Sequence, residues 1–77
     1  MTTFKNPHTL RVYEYIRDFI QQTRLNPTIR EIGEGVYMSH SAVLTHLAHL
    51  EAKGWIVREI GVARSIRLGE HAPDYVP

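Results

Sequence analysis

A mainly α (α+β) domain, three helices followed by a two-stranded β-hairpin, is the fold class this chain predicts. Three observations carry it. Apolar residues recur at the 3.6-residue period in three separate stretches. Each stretch is bounded by capping or helix-breaking residues. After Gly54 the pattern changes to β-forming residues and polar/apolar alternation.

The first stretch opens at Asn6-Pro7, an N-cap followed by proline at the first helical position, where its missing amide costs nothing. Leu10, Val12, Tyr13, Ile16, Phe19 and Ile20 then recur with helical spacing, and Arg11, Glu14, Arg17, Asp18 and Gln21 lie opposite. The helix is expected to stop near Arg24, because Asn26-Pro27 cannot continue it. Tyr13, Tyr15 and Phe19 ride on the apolar stripe, so they read as core and core-edge packing. Residues 1–5 read as a flexible arm.

Thr28-Ile29-Arg30-Glu31 is a capping box: the threonine hydroxyl covers an amide of the first turn, and Glu31 reaches back to the amide of Thr28. It opens a short second helix to about Val36, with Ile32 and Val36 toward the core. Gly33 and Gly35 are poor helix formers, so they mark either a close approach to a neighbouring element or simply weak propensity. Only Tyr37 and Met38 separate this helix from the next cap at Ser39. So short a turn forces a steep crossing, which makes the pair a helix-turn-helix.

The third helix runs from Ser39, an N-cap, to Gly54, placed where a left-handed residue ends a helix. Val43, Leu47 and Leu50 form its apolar stripe. Ser41, Thr45, Ala48 and His49 lie opposite, with Leu44 at the edge. This outer face is small, uncharged and rich in hydrogen-bonding groups, suited to close approach to a DNA major groove or to an ordinary solvated role. Beyond Gly54, Trp55–Ile60 reads as one strand, Gly61–Arg64 as a turn, and Ser65–Leu68 as a second strand with Ile66 and Leu68 inward and Arg67 outward. Residues 69–77, with two prolines and no periodicity, read as a flexible tail. Three helices and a β wing over residues 6–68 make a winged helix-turn-helix.

Composition narrows the function. The chain has 77 residues, no cysteine, 43% hydrophobic and 22% charged residues and a net charge of +1. That suits one small globular domain without disulfides or a cysteine-based zinc site. No apolar run approaches a membrane span, and the first residues lack a signal peptide's apolar core, so a cytoplasmic protein is expected. The near-neutral charge does not by itself announce a polyanion partner, but residues 52–68 hold Lys53, Arg58, Arg64 and Arg67 against Glu59 alone.

The stretch Asn6–Leu68 resembles the N-terminal DNA-binding domain of the LexA repressors. The resemblance rests on YIRDFIQQT, on PTxxEI at Pro27–Ile32 and on the His46-Leu47 pair. KGxI at Lys53–Ile56 and SIRL at Ser65–Leu68 complete it. More loosely, SxSAVxxHLxxLExKGWI is similar to the corresponding helix of other bacterial winged-helix regulators, including the MarR-like group. The resemblance implies a transcriptional regulator, most simply a repressor, whose third helix lies in the major groove of double-stranded DNA. Carried over by position, it implies that Ser39, Ser41, Ala42, Leu44 and Thr45 meet base edges. Arg64 at the wing tip would meet a phosphate or the minor groove. Where LexA-like recognition helices carry acidic and asparagine side chains, this one has Ser41, Leu44 and Thr45, so the operator sequence does not transfer. The Ser-Lys protease domain that follows in LexA has no counterpart among these residues, so self-cleavage is not carried over. Tyr37 stands where a turn glycine is common, which suggests a different local turn.

Physical chemistry adds backbone candidates. Thr28 and Arg30 begin the second helix, whose unpaired amides and dipole favour a phosphate. Lys53, Arg58, Arg64 and Arg67 are possible phosphate partners, and about four such contacts predict a log–log salt slope of roughly −3 to −4. The outer face has no Arg, Asn or Gln for bidentate base reading, so specificity needs a homodimer or DNA shape. No metal or cofactor is expected: His46 and His49 are spaced to share an ion, but no third ligand converges with them. No catalytic constellation or phosphate-binding glycine loop is present, which argues against an enzyme and a small-molecule substrate. The alternative reading is a winged helix used for protein–protein interaction with little DNA affinity.

Overall fold

The computed structural model describes residues 7–73. The expected arm at residues 1–5, the Asn6 cap and the last four residues of the tail lie outside them. Element order is α1 (Pro7–Thr23), α2 (Ile29–Val36), α3 (His40–Ala52), β1 (Ile56–Val57) and β2 (Arg67–Leu68). The three helices pack on one another, and the antiparallel pair Ile56↔Leu68, Val57↔Arg67 closes over them. This is a winged helix-turn-helix.

The apolar stripes meet in one core. Val12, Tyr13 and Ile16 of α1, Ile32 and Val36 of α2, and Val43, Leu47 and Leu50 of α3 are buried with Trp55, Ile56 and Ile66. Tyr13 stacks edge-on against Trp55 with ring centroids 5.0 Å apart. Tyr15 and Phe19 sit beside each other at 5.9 Å on the core margin. Each of the three aromatic residues of α1 therefore packs as its position on the stripe requires.

The caps explain where α2 and α3 begin. Thr28 Oγ1 accepts the Glu31 amide at 3.1 Å, and Glu31 Oε1 accepts the Thr28 amide at 2.9 Å. Ser39 Oγ accepts the Ala42 amide at 3.2 Å. The end of α3 is a Schellman turn: the Gly54 amide bonds Glu51 O and the Trp55 amide bonds Leu50 O, with Gly54 at φ 74°. Gly35 answers the open question about the α2 glycines, at least for itself. A Cβ there would collide with the ring of Tyr15, so the glycine lets α1 and α2 approach.

Three elements differ from expectation. Tyr37 does not change the turn. It adopts the left-handed conformation a glycine would take (φ 58°, ψ 50°), while the Met38 amide bonds Gly33 O at 3.0 Å. Arg24 and Arg64 also adopt left-handed backbone, with φ 62° and 56°. For a residue with a Cβ each such conformation costs about 1–2 kcal/mol.

The wing is much less regular than the predicted strands. Only two residues pair on each side, because the segments between are held by side chains. Ser65 Oγ accepts the Glu59 amide at 2.9 Å and donates to Glu59 O at 3.0 Å, and the Val62 amide bonds Glu59 O.

The tail from Gly69 is not loose through Pro73. The Gly69 amide bonds Trp55 O at 2.8 Å, the His71 amide bonds Gly54 O at 3.0 Å, and Tyr13 Oη donates to Pro73 O at 3.2 Å. Ala72 packs against the core. Backbone pairing, invisible to hydropathy, holds this segment.

Candidate nucleic-acid interface

The face of α3 opposite the core stripe is exposed at Ser41, Thr45, Ala48 and His49. No charged side chain interrupts it. Thr45 Oγ1 donates to Ser41 O at 3.1 Å, the usual backward bond of a helical threonine, which leaves its oxygen able to accept. Ser39 is exposed, but its hydroxyl is occupied as the N-cap acceptor. Ala42 and Leu44 are half-buried, and Leu44 packs against the core, so it presents only part of its side chain outward. Of the five base-edge candidates, Ser39, Ser41 and Thr45 are exposed, and only the Ser39 hydroxyl is taken up as a helix cap.

The backbone candidates differ in exposure and in the partners they hold. Arg30 and Arg67 are exposed, and so is Lys53 at the end of α3. Arg30 Nε lies 3.4 Å from Glu34 Oε2, with both side chains largely in water. Such a pair contributes little and exchanges readily. Arg58 and Arg64 are engaged within the chain. Arg58 Nε binds Glu51 Oε1 at 2.8 Å with its side chain only 14% exposed. Arg64 grips Glu31 with two hydrogen bonds of 3.0 and 3.2 Å and also donates to Asn26 O. Thr28 is half-buried as the α2 cap. The expectation that Arg64 reaches outward from the wing tip meets a different geometry: its left-handed backbone and its Asn26 and Glu31 partners fold it back onto the start of α2.

Glu31 is held in its charged form at the start of α2. The Thr28 amide first, then the Arg64 guanidinium, hold its carboxyl below the usual value of 4.5. On the other side of α3, His46 is buried with Nδ1 2.8 Å from Thr9 Oγ1. Burial, reinforced by His49 and His8, holds it below 6.5. Among the described residues no group of three or more His, Cys, Asp or Glu is placed to hold a metal ion, and no helix is long and apolar enough to cross a membrane. Sequence reasoning missed Thr9 and Asn26 as partners because they act across 37 and 38 residues, and Glu51 because its bond to Arg58 joins the end of α3 to the chain beyond the helix.

Residues 7–65 match the family model described as the LexA DNA binding domain. The chain is similar to the LexA repressor of Staphylococcus epidermidis, 39% identical over 66 residues that cover 84% of this chain and 32% of that protein. The LexA repressor of Staphylococcus haemolyticus is 41% identical over 58 residues, 74% of this chain and 28% of that protein, and one from Staphylococcus aureus matches to the same extent. The chain thus spans about a third of the length of the relatives it matches.

Proposed function

The chain belongs to the LexA DNA-binding-domain family, and from that premise we propose that it binds double-stranded DNA sequence-specifically as a transcriptional regulator, a repressor acting by occlusion. The observation that most supports this is the division of α3. Its buried stripe fixes the helix, and the opposite face offers small, uncharged, exposed Ser41, Thr45 and Ala48 without a charge to hinder entry into the major groove. Exposed Arg30, Lys53 and Arg67 supply phosphate contacts, which position the domain but carry no sequence information.

The site recognises bases weakly. The Ser41 hydroxyl accepts from or donates to either kind of base, Thr45 Oγ1 accepts while its own proton stays on Ser41 O, and Ala42 and the outward part of Leu44 pack on thymine methyls. Two copies on a symmetric site, or a deformable DNA sequence, supply the remaining specificity. The domain works in the cytoplasm, as a DNA-binding regulator would.

The test is fluorescence anisotropy with a mixed-sequence duplex across a salt series, for the parent chain and for Arg30→Ala and Arg67→Ala. With about three phosphate contacts the log–log slope is roughly −3, and each substitution removes about one unit of it. Absence of binding at low salt and high micromolar protein overturns the proposal. In that case the second reading, a protein-interaction module, gains weight from the apolar wing loop, where Ile60 is 81% and Val62 52% exposed.

A further inference from the structure

Tyr37 stands between α2 and α3 with 91% of its surface exposed, on a left-handed backbone. A glycine would hold this turn with less strain, and the ring gains no burial in exchange. The residue lies two positions before the Ser39 cap and borders a shallow groove with Arg30, Glu34, Met38 and His40. Arg30 and His40 are exposed on the same groove, and the Arg30–Glu34 pair is open to solvent. An aromatic alcohol, a guanidinium that can leave its partner and the start of α3 thus share one edge of the molecule.

From this placement we infer that Tyr37 is a DNA-backbone contact: its phenol O–H donates to a phosphate oxygen at the margin of the groove that α3 enters. The inference rests on the DNA-binding reading above and adds a residue to it. Arg30 supplies charge to that stretch of backbone, and Tyr37 fixes the register of α3 along it, since a single O–H donor at the end of a rigid ring reaches only one phosphate. The phenol displaces no counterion, so its loss weakens binding without changing the salt slope, unlike loss of Arg30. Glu34 opposes a phosphate in the same groove, and its repulsion limits the contact to the Tyr37 side.

The experiment compares the parent chain with Tyr37→Phe and Tyr37→Gly, by anisotropy against a mixed-sequence fluorescent duplex at several salt concentrations and by thermal unfolding. Tyr37→Phe is expected to weaken binding about three- to tenfold, the worth of one hydrogen bond, with salt slope and thermal midpoint unchanged. Tyr37→Gly should weaken binding at least as much while keeping the midpoint within a few degrees, since glycine suits the left-handed turn. Parent-like affinity in Tyr37→Phe overturns the hydroxyl contact, whatever Tyr37→Gly does. A changed slope in Tyr37→Phe overturns it as well, because the docking of α3 itself would then have moved. A parent chain that binds no duplex overturns the DNA-binding reading and this inference together. Loss in the variants of a parent that binds supports both.

Discussion

His46 ties the middle of α3 to the start of α1 through a buried contact with Thr9, 37 residues away. Because burial and the neighbouring His49 and His8 hold its pKa below 6.5, the unfolded chain binds more protons than the folded one between the folded value and 6.5. The contribution of neutral His46 is therefore complete above 6.5, declines as pH falls through that window, and stops changing below the folded pKa. Thermal unfolding at pH values spanning that window should show the midpoint falling on acidification, and His46→Gln should flatten that part of the profile. Thr9→Val should cost about 1 kcal/mol in a urea titration, by leaving a buried ring nitrogen without its partner. In the sequence His46 adjoins the stripe of Val43, Leu47 and Leu50, which fits its buried place in the fold. Nothing in the sequence indicated Thr9, whose burial comes from tertiary packing and leaves no periodic trace. The left-handed Arg24, Tyr37 and Arg64 escaped for a related reason, since only glycine advertises that conformation.

At the level of elements, one carboxylate joins the helix-turn-helix to the wing. Glu31 Oε1 accepts from both the Thr28 amide and Arg64 Nη1, and Oε2 accepts from Arg64 Nη2. Asn26 Nδ2 donates to Arg64 O, which closes the link. Arg64→Ala should loosen the loop between the strands, seen as faster hydrogen exchange at the Glu59 amide and quicker proteolysis near Val62. Its salt slope for DNA should match the parent's, because this guanidinium is spent within the chain. A slope reduced by about one unit would instead mark a direct phosphate contact. Since the folded Glu31 pKa is depressed, the link is intact above the ordinary value of 4.5 and fails as pH drops through the folded one. Glu31→Gln should show the same loosening at neutral pH. The capping box and all three helix boundaries were readable from local chemistry. The wing's extent was not: the β-forming run Trp55–Ile60 is diverted where Arg58 turns to Glu51, and no local propensity reports an ion pair across seven residues.

For the whole molecule, stability draws on the segment after β2. Residues 69–73 return to the core through three backbone or phenol hydrogen bonds to Trp55, Gly54 and Tyr13. Ending the chain after Leu68 should lower stability by about 1–3 kcal/mol, at about 1 kcal/mol per hydrogen bond. Each kcal/mol corresponds to a loss of roughly 4–8 °C in thermal midpoint for a domain this size, measurable by circular dichroism. The core was legible because apolar period and helix caps agree from Leu10 to Leu50. The tail was not, because its anchors are main-chain groups that any sequence possesses. The proposed interface was legible as a face of α3, while the ion pairs that tie Arg58 to Glu51 and Arg64 to Glu31 needed the fold. The two sides of α3 share little beyond the half-buried Leu44: Val43, His46, Leu47 and Leu50 hold it in place, and Ser41, Thr45, Ala48 and His49 project away. Substitutions on that projecting side fall in the class that shifts stability by only about 0.5 kcal/mol either way. If that side reads bases as proposed, descendants of this domain can drift to new target sequences one residue at a time without passing through a poorly folded ancestor.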